Sequence, residues 1–463
     1  MSEEMKTLRK QLLRDSRSGY DVLEEAQLRR MEDYCADYKA FLGNKTERLS
    51  ARAAIAAAKA HGFVEYRRGM ALEAGDKVYT CNRGKGLMLA VMGRESMAEG
   101  VQIAAAHIDS PRLDLKPNPL YEDSELAYFK THYYGGIRKY QWVTIPLQLQ
   151  GVVVKKDGTA VEVCIGEKGE PQLVITDLLP HLGGEQGKKP LSEAIPAETL
   201  NILLGSRPIG DEDDSDRVKI HVMKRLYDKY GITEADFASA ELEAVPAADA
   251  VDIGIDGSMI GSYGHDDRVC GYAALRALLE LDTPAKTAVC VLADKEEIGS
   301  MGVTGMQSAV FETFLSDLCD SQNVPLKVCF ENSFCLSADV TAAYDPNFAD
   351  VFDKKNAAFL NHGVGLCKYT GARGKSGSSD AGAETVAYVR SLLDGAGVRW
   401  QICELGKVDA GGGGTVAQYM ANRNIATLDA GVPVLSMHAP FEVVAKLDCY
   451  EMYRACKAIY EAR

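Results

Sequence analysis

From residue 268 onward, short apolar runs alternate with stretches of helical periodicity, and this alternation restricts the fold more than any other feature of the chain. The helical stretches are "RVCGYAALRALLEL", "GVTGMQSAVFETFLSDLCD", "DAGAETVAYVRSLLDGAG", "GTVAQYMANRN" and "DCYEMYRACKAIYEA". Between them lie the apolar runs "TAVCVLA", "CFENSFCLSADV", "WQICEL" and "VPVLSMH". Such alternation predicts an α/β fold with a mostly parallel central sheet and helices on both faces. Residues 20–60 also read as helices, with "SARAAIAAAKAHGF" closing on Gly62, and "GLMLAVMG" and "VQIAAAHIDS" read as short strands. The texture changes after Tyr121. Strand signals appear in "WVTIPLQLQGVVVKK", "TAVEVCIG" and "PQLVITDLL", followed by the polar "GGEQGKKPLSEAIPAE" and the acidic "GDEDDSDRV". The expected organisation is one domain built from residues 1–111 and 255–463, interrupted by a β-rich insertion over 112–254.

A chain of 463 residues is long enough for two or three domains. Its net charge of −14 argues against nucleic acid or an anionic membrane as partner, yet leaves room for acidic substrates at a locally cationic centre. The opening "MSEEMKTLRKQLLRDSRSGY" lacks the apolar core of a signal peptide, and no apolar run is long enough to cross a bilayer. A cytoplasmic location is expected. The twelve cysteines are scattered without a C-x-x-C pair, most of them inside apolar runs, and read as buried reduced thiols. The acidic "GDEDDSD" lacks the glycine and terminal glutamate of a calcium loop and reads as solvated.

Four apolar runs end on a potential metal ligand. "VQIAAA" delivers His107, "TAVCVLADK" delivers Glu296 and Glu297, "FCLSA" delivers Asp339 and "VPVLSM" delivers His438. In an open parallel sheet the carboxyl ends of the strands form the ligand-binding edge, so these side chains are expected to converge. A fifth element, "GSYGHDDRVCGYAAL", places Asp266 and Asp267 at a helix start. One aspartate suffices as N-cap, which leaves the second unexplained. Taken singly, each histidine also reads as a hydrogen-bonded side chain and Asp339 as a turn residue; their joint placement makes the case. The set is nitrogen and oxygen without thiolate, which suits zinc, manganese or cobalt. Five such ligands exceed one open catalytic zinc and suit two cations sharing a carboxylate, about 3.5–4 Å apart. Adjacent acids beyond a strand end then make sense: one glutamate binds a cation, and the other is free to act as general base.

With these residues collected, the chain resembles the aspartyl-aminopeptidase family of dinuclear zinc metallopeptidases, in its bacterial branch. The resemblance rests on "AAHIDSPRLDLKP", "YYGGIRKYQW", "GHDDRVC", "DKEEIGSMGVTG", "SADVTAAYDPNF" and "SMHAPFE", in that order. It implies a zinc-exopeptidase-like fold, with His107 and Asp339 on one metal, Glu297 and His438 on the other, and Asp267 bridging. It further implies Glu296 as general base and Asp109 orienting the His107 ring. Where many members carry histidines this chain has Ala342 and Asp345, and Tyr140 stands where a substrate-binding histidine reaches in from a neighbouring subunit. Lys375 or Arg373, in "TGARGKSGSSDAGAE", lies in the region that shapes the pocket for the substrate's first side chain. Either would pair with an acidic residue there, or belongs to a solvated basic loop. The implied function is a metal-dependent aminopeptidase acting on peptide substrates, with two divalent cations, zinc first and cobalt or manganese next. The insertion is implied to be a dimerisation and lid domain in a dimer or a dodecamer. The rival readings are another dinuclear amidohydrolase, a carboxypeptidase or deacylase, and a non-catalytic assembly protein. No Gly-x-Ser-x-Gly elbow supports a serine nucleophile.

Overall fold

Strand Val101–His107 is buried along its whole length, and its residues alternate between two cores. Ile103 and Ala105 face one, with Phe311, Phe314 and Leu318 of helix Val310–Asp320. Ala104 and Ala106 face the other, with helices Glu25–Phe41, Glu47–Ala60, His265–Leu279 and Lys446–Tyr460. Alanine on this second face lets helix His265–Leu279 approach closely: a Cβ at Gly271 would lie 3.5 Å from the His107 carbonyl. The computed structural model describes residues 2–463.

Among the described residues the largest sheet has nine strands. Its four central strands, Thr287–Ala293, Val101–His107, Phe334–Ser337 and Ala426–Gly431, are parallel neighbours in that order. The flanks depart from the mostly parallel layout expected. Lys77–Asn82 pairs antiparallel with Gly86–Val91, which pairs antiparallel with Thr287–Ala293, and Val364–Cys367 runs antiparallel to Ala426–Gly431. The sheet is therefore mixed. The first departure has a local cause: Arg83 and Gly84, both at positive φ, turn the chain back on itself, and a short turn joins antiparallel strands without a crossover.

The run "VPVLSMH" does not supply a strand of this sheet. Ala426–Gly431 takes that place, and Pro433–Leu435 joins a small five-stranded sheet with Thr341–Ala342, Glu442–Ala445, Met259–Ser262 and Val251–Ile253. Strands between Arg112 and Pro246 form a separate seven-stranded sheet around Trp142, Phe129, Leu149 and Phe237. This region also carries helix Arg217–Tyr230, which packs Val222 and Leu226 on that core and was not anticipated from the sequence. All twelve cysteines are free, all but Cys81 and Cys164 buried. Among the described residues no helix is long and apolar enough to cross a membrane.

Candidate metal centre

Three adjacent parallel strands deliver acids and an imidazole to one edge. Strand Val101–His107 ends on His107; Asp339 follows Phe334–Ser337 by two residues; Glu296 and Glu297 begin a short 3-10 turn beyond Thr287–Ala293. Parallel pairing sets their level, since His107 is in register with Ala293. His438 comes from outside the central sheet, on the loop between Pro433–Leu435 and Glu442–Ala445. It adopts a left-handed backbone, φ 64°.

Asp266 lies between the two imidazoles. Its Oδ1 is 3.2 Å from His107 Nε2 and its Oδ2 is 3.2 Å from His438 Nε2. Asp339 Oδ1 lies 3.8 Å from His107 Nε2, and Glu297 Oε2 lies 3.6 Å from His438 Nε2. Two triads result, His107–Asp266–Asp339 and Asp266–Glu297–His438, each with ligand atoms within 4.8 Å of one another.

Asp267, expected from the resemblance as the bridge, is turned away. Its Oδ2 accepts the His107 backbone N–H at 3.3 Å. The helix does not yet have helical dihedrals at Asp266 (φ −80°, ψ 108°) or Asp267 (φ −116°, ψ 28°), so the two side chains diverge instead of following helical spacing. The peptide joining them is cis. Among the described residues Asp266, and not Asp267, belongs to both triads.

Both rings are held from behind. His107 Nδ1 contacts the Asp109 carbonyl at 3.0 Å, and His438 Nδ1 the Gly136 carbonyl at 2.8 Å. A carbonyl only accepts, so each Nδ1 carries a proton and each Nε2 is the ring nitrogen turned toward the triads. The buried Asp109 carboxylate lies 3.4 Å from His107 Nδ1. It accepts the backbone N–H of Glu296 and of Glu297, each at 3.2 Å, and the Tyr134 hydroxyl at 2.7 Å. Asp109 thus holds the double-glutamate turn, and Tyr134 and Gly136 bring the arm of the insertion to the centre. Neither residue was singled out in the sequence, although both lie in "YYGGIRKYQW".

The donor set fits divalent cations. Burial pushes the carboxyls of Asp339 and Glu297 well above the usual range, reinforced by the charges of Asp267 and Asp266 respectively. Burial also lifts Glu296 to about 7. Burial alone would lower His438, but its bond to Asp266 and the Glu297 charge outweigh that and raise it to about 11. This is a surplus of buried acid which two imidazoles do not balance. Glu297 Oε1, buried, has no hydrogen-bond partner among the described residues. Cations bound by these oxygens would remove both anomalies.

The expected substrate-binding residues lie on exposed turns and loops. Tyr140 sits exposed on the 3-10 turn Lys139–Gln141. Lys375 is already engaged, 3.2 Å from Asp380 and 3.8 Å from the Tyr369 ring centroid. Arg373 lines a small recess with Lys375, Tyr369 and Glu404. Among the described residues no hydrogen bond or ion pair ties any of the three to the triads.

Residues 43–460 match the family model described as aminopeptidase I zinc metalloprotease (M18). A probable M18 family aminopeptidase 1 of Clostridium acetobutylicum is 48% identical over 450 residues, 95% of this chain and 97% of that protein. The crystal structure of an M18 family aminopeptidase from Thermotoga maritima superposes with a TM-score of 0.93 at 42% identity, covering 97% of this chain and 99% of that one. The structure of the S. cerevisiae mApe1 dodecamer shares the fold, with a TM-score of 0.76 at 22% identity over 93% of this chain and 99% of its own.

Proposed function

The chain belongs to the M18 family of zinc aminopeptidases and is a peptide-bond hydrolase, and from that premise we propose how its residues divide the work. His107 and Asp339 hold one divalent cation, Glu297 and His438 a second, and Asp266 is shared between them. Zinc follows from the family description, and the nitrogen–oxygen donor set also accommodates cobalt or manganese. The observation that carries the reading is Asp266, whose two oxygens each lie 3.2 Å from a different imidazole. When bound, the cations would supply Lewis acidity, lowering the pKa of a water and polarising the scissile carbonyl.

Glu296 is the remaining acid at the centre. Its Oε2 lies 3.9 Å from His107 Nε2, which supports its accepting a proton from the attacking water and returning it to the departing amine. Asp109 fixes the backbone from which Glu296 projects. Substrates are peptides with a free N-terminus. Lys375 or Arg373 is the candidate cation for an acidic first residue; Lys375 shares Asp380 with Lys368, and Arg373 carries no ion-pair partner among the described residues, which favours Arg373.

The separate core of the seven-stranded sheet supports the insertion as an independent domain for self-association, and the dodecameric fold relative supports assembly beyond one subunit. A cytoplasmic location is part of the same reading.

Glu296→Gln keeps size and hydrogen-bonding capacity but cannot take up a proton. It is expected to lower kcat on an aminoacyl substrate by about 10²–10⁴-fold with metal content near normal. Wild-type turnover with both cations present would remove Glu296 from the role. Blocking the substrate's amine is expected to abolish hydrolysis.

A further inference from the structure

Glu442 opens strand Glu442–Ala445 and is 1% exposed. Its carboxylate points to two backbone donors, one on the loop just before its own strand and one at the start of helix His265–Leu279. Oε1 accepts the His438 N–H at 2.6 Å, and Oε2 accepts the Asp266 N–H at 3.1 Å. One belongs to the shared carboxylate residue and the other to an imidazole residue of the second triad. The strand that carries Glu442 is itself fixed on both sides, by Ser262 in register with Glu442 and by Leu435 in register with Val443. Asp266 and His438 both have backbones outside regular structure: Asp266 is non-helical within its helix, and His438 is left-handed. Neither N–H has a secondary-structure partner, so a buried acceptor must satisfy each.

We propose that Glu442 is a positioning residue which sets the spacing of the second cation triad by clamping the main chains of Asp266 and His438 with one carboxylate. The inference rests on the ligand assignment above. Asp109 clamps Glu296 and Glu297 in the same way, so each of these two buried acids holds a pair of backbone N–H groups beneath the centre. The clamp acts on both triads through Asp266, which they share, and on the second through His438 as well. His107 ends a strand of the central sheet and Asp339 follows one by two residues, so the first triad has that support besides.

Glu442→Gln presents an amide N–H to one of the two donors and breaks half of the clamp. Apo-protein is titrated with Co²⁺ and the visible d–d absorption is followed, alongside kcat, KM and apo-state thermal unfolding. The wild type is expected to take up two equivalents. Glu442→Gln should weaken one equivalent by at least about 10-fold, weaken the other by less because only its Asp266 ligand loses support, and lower kcat with KM little changed. Glu442→Asp, which keeps the charge but shortens the reach, should fall between the two. A wild type that binds fewer than two equivalents overturns the ligand reading itself. A wild type that binds two, with a variant that titrates identically, overturns the role of Glu442 alone. Should Glu442→Gln fail to fold, amide hydrogen exchange on the wild type decides: slow exchange at Asp266 and His438 upholds the clamp, and exchange at the unprotected rate refutes it.

Discussion

Asp266 and Asp267 are adjacent in sequence but face different surroundings. The first is shared by two imidazoles; the second, fully buried, braces the His107 backbone and has Cys270 at its side. Their substitutions should separate accordingly. Asp266→Ala is expected to take cation content from two per chain to one or fewer and to abolish turnover. Asp267→Asn should retain both cations and lose stability instead, since it disturbs a buried acceptor worth about 1–3 kcal/mol. Elemental analysis and thermal unfolding of the two variants check this; equal cation loss in both would return the bridge to Asp267.

At the scale of elements, the centre is built where two kinds of segment meet. The parallel strands bring His107, Asp339 and the two glutamates to one edge by register alone. The arm after strand Leu126–Tyr134 then closes on them: the Gly136 carbonyl holds the His438 ring, and a Cβ at Gly136 would lie 3.2 Å from His438 Nδ1. Gly136→Ala therefore pushes on the His438 imidazole while leaving every candidate ligand in the sequence. The expected result is a roughly 10-fold weaker cation affinity, in line with loss of other outer-shell partners, and the fold kept. Competitive titration with a chromophoric chelator measures it, and an unchanged affinity would show that the arm merely rests against the ring.

For the whole molecule, the insertion has its own core and lends two residues to the centre, so its position and the chemistry are linked. If it also joins subunits, sedimentation velocity of the purified chain should show a species well above the 50.2 kDa monomer. A monomer at micromolar concentration would confine the insertion to a local role. The sequence by itself determined the α/β character, the strand-rich texture after Tyr121 and the chemical nature of the candidate donors. Each of these follows from composition and short-range periodicity, which act over a few residues. His107, Asp339, Glu296 and Glu297 were legible because a strand end is a local signal. Only the tertiary structure decided that Asp266 and not Asp267 lies between the two imidazoles, that His438 arrives beside a small side sheet, and that Glu442, Tyr134 and Gly136 contact Asp266, His438 and Asp109. Those outcomes depend on backbone dihedrals at a helix start, on pairing between segments far apart in the chain, and on which buried N–H groups lack a partner. None of these is encoded in the spacing of side chains along the sequence.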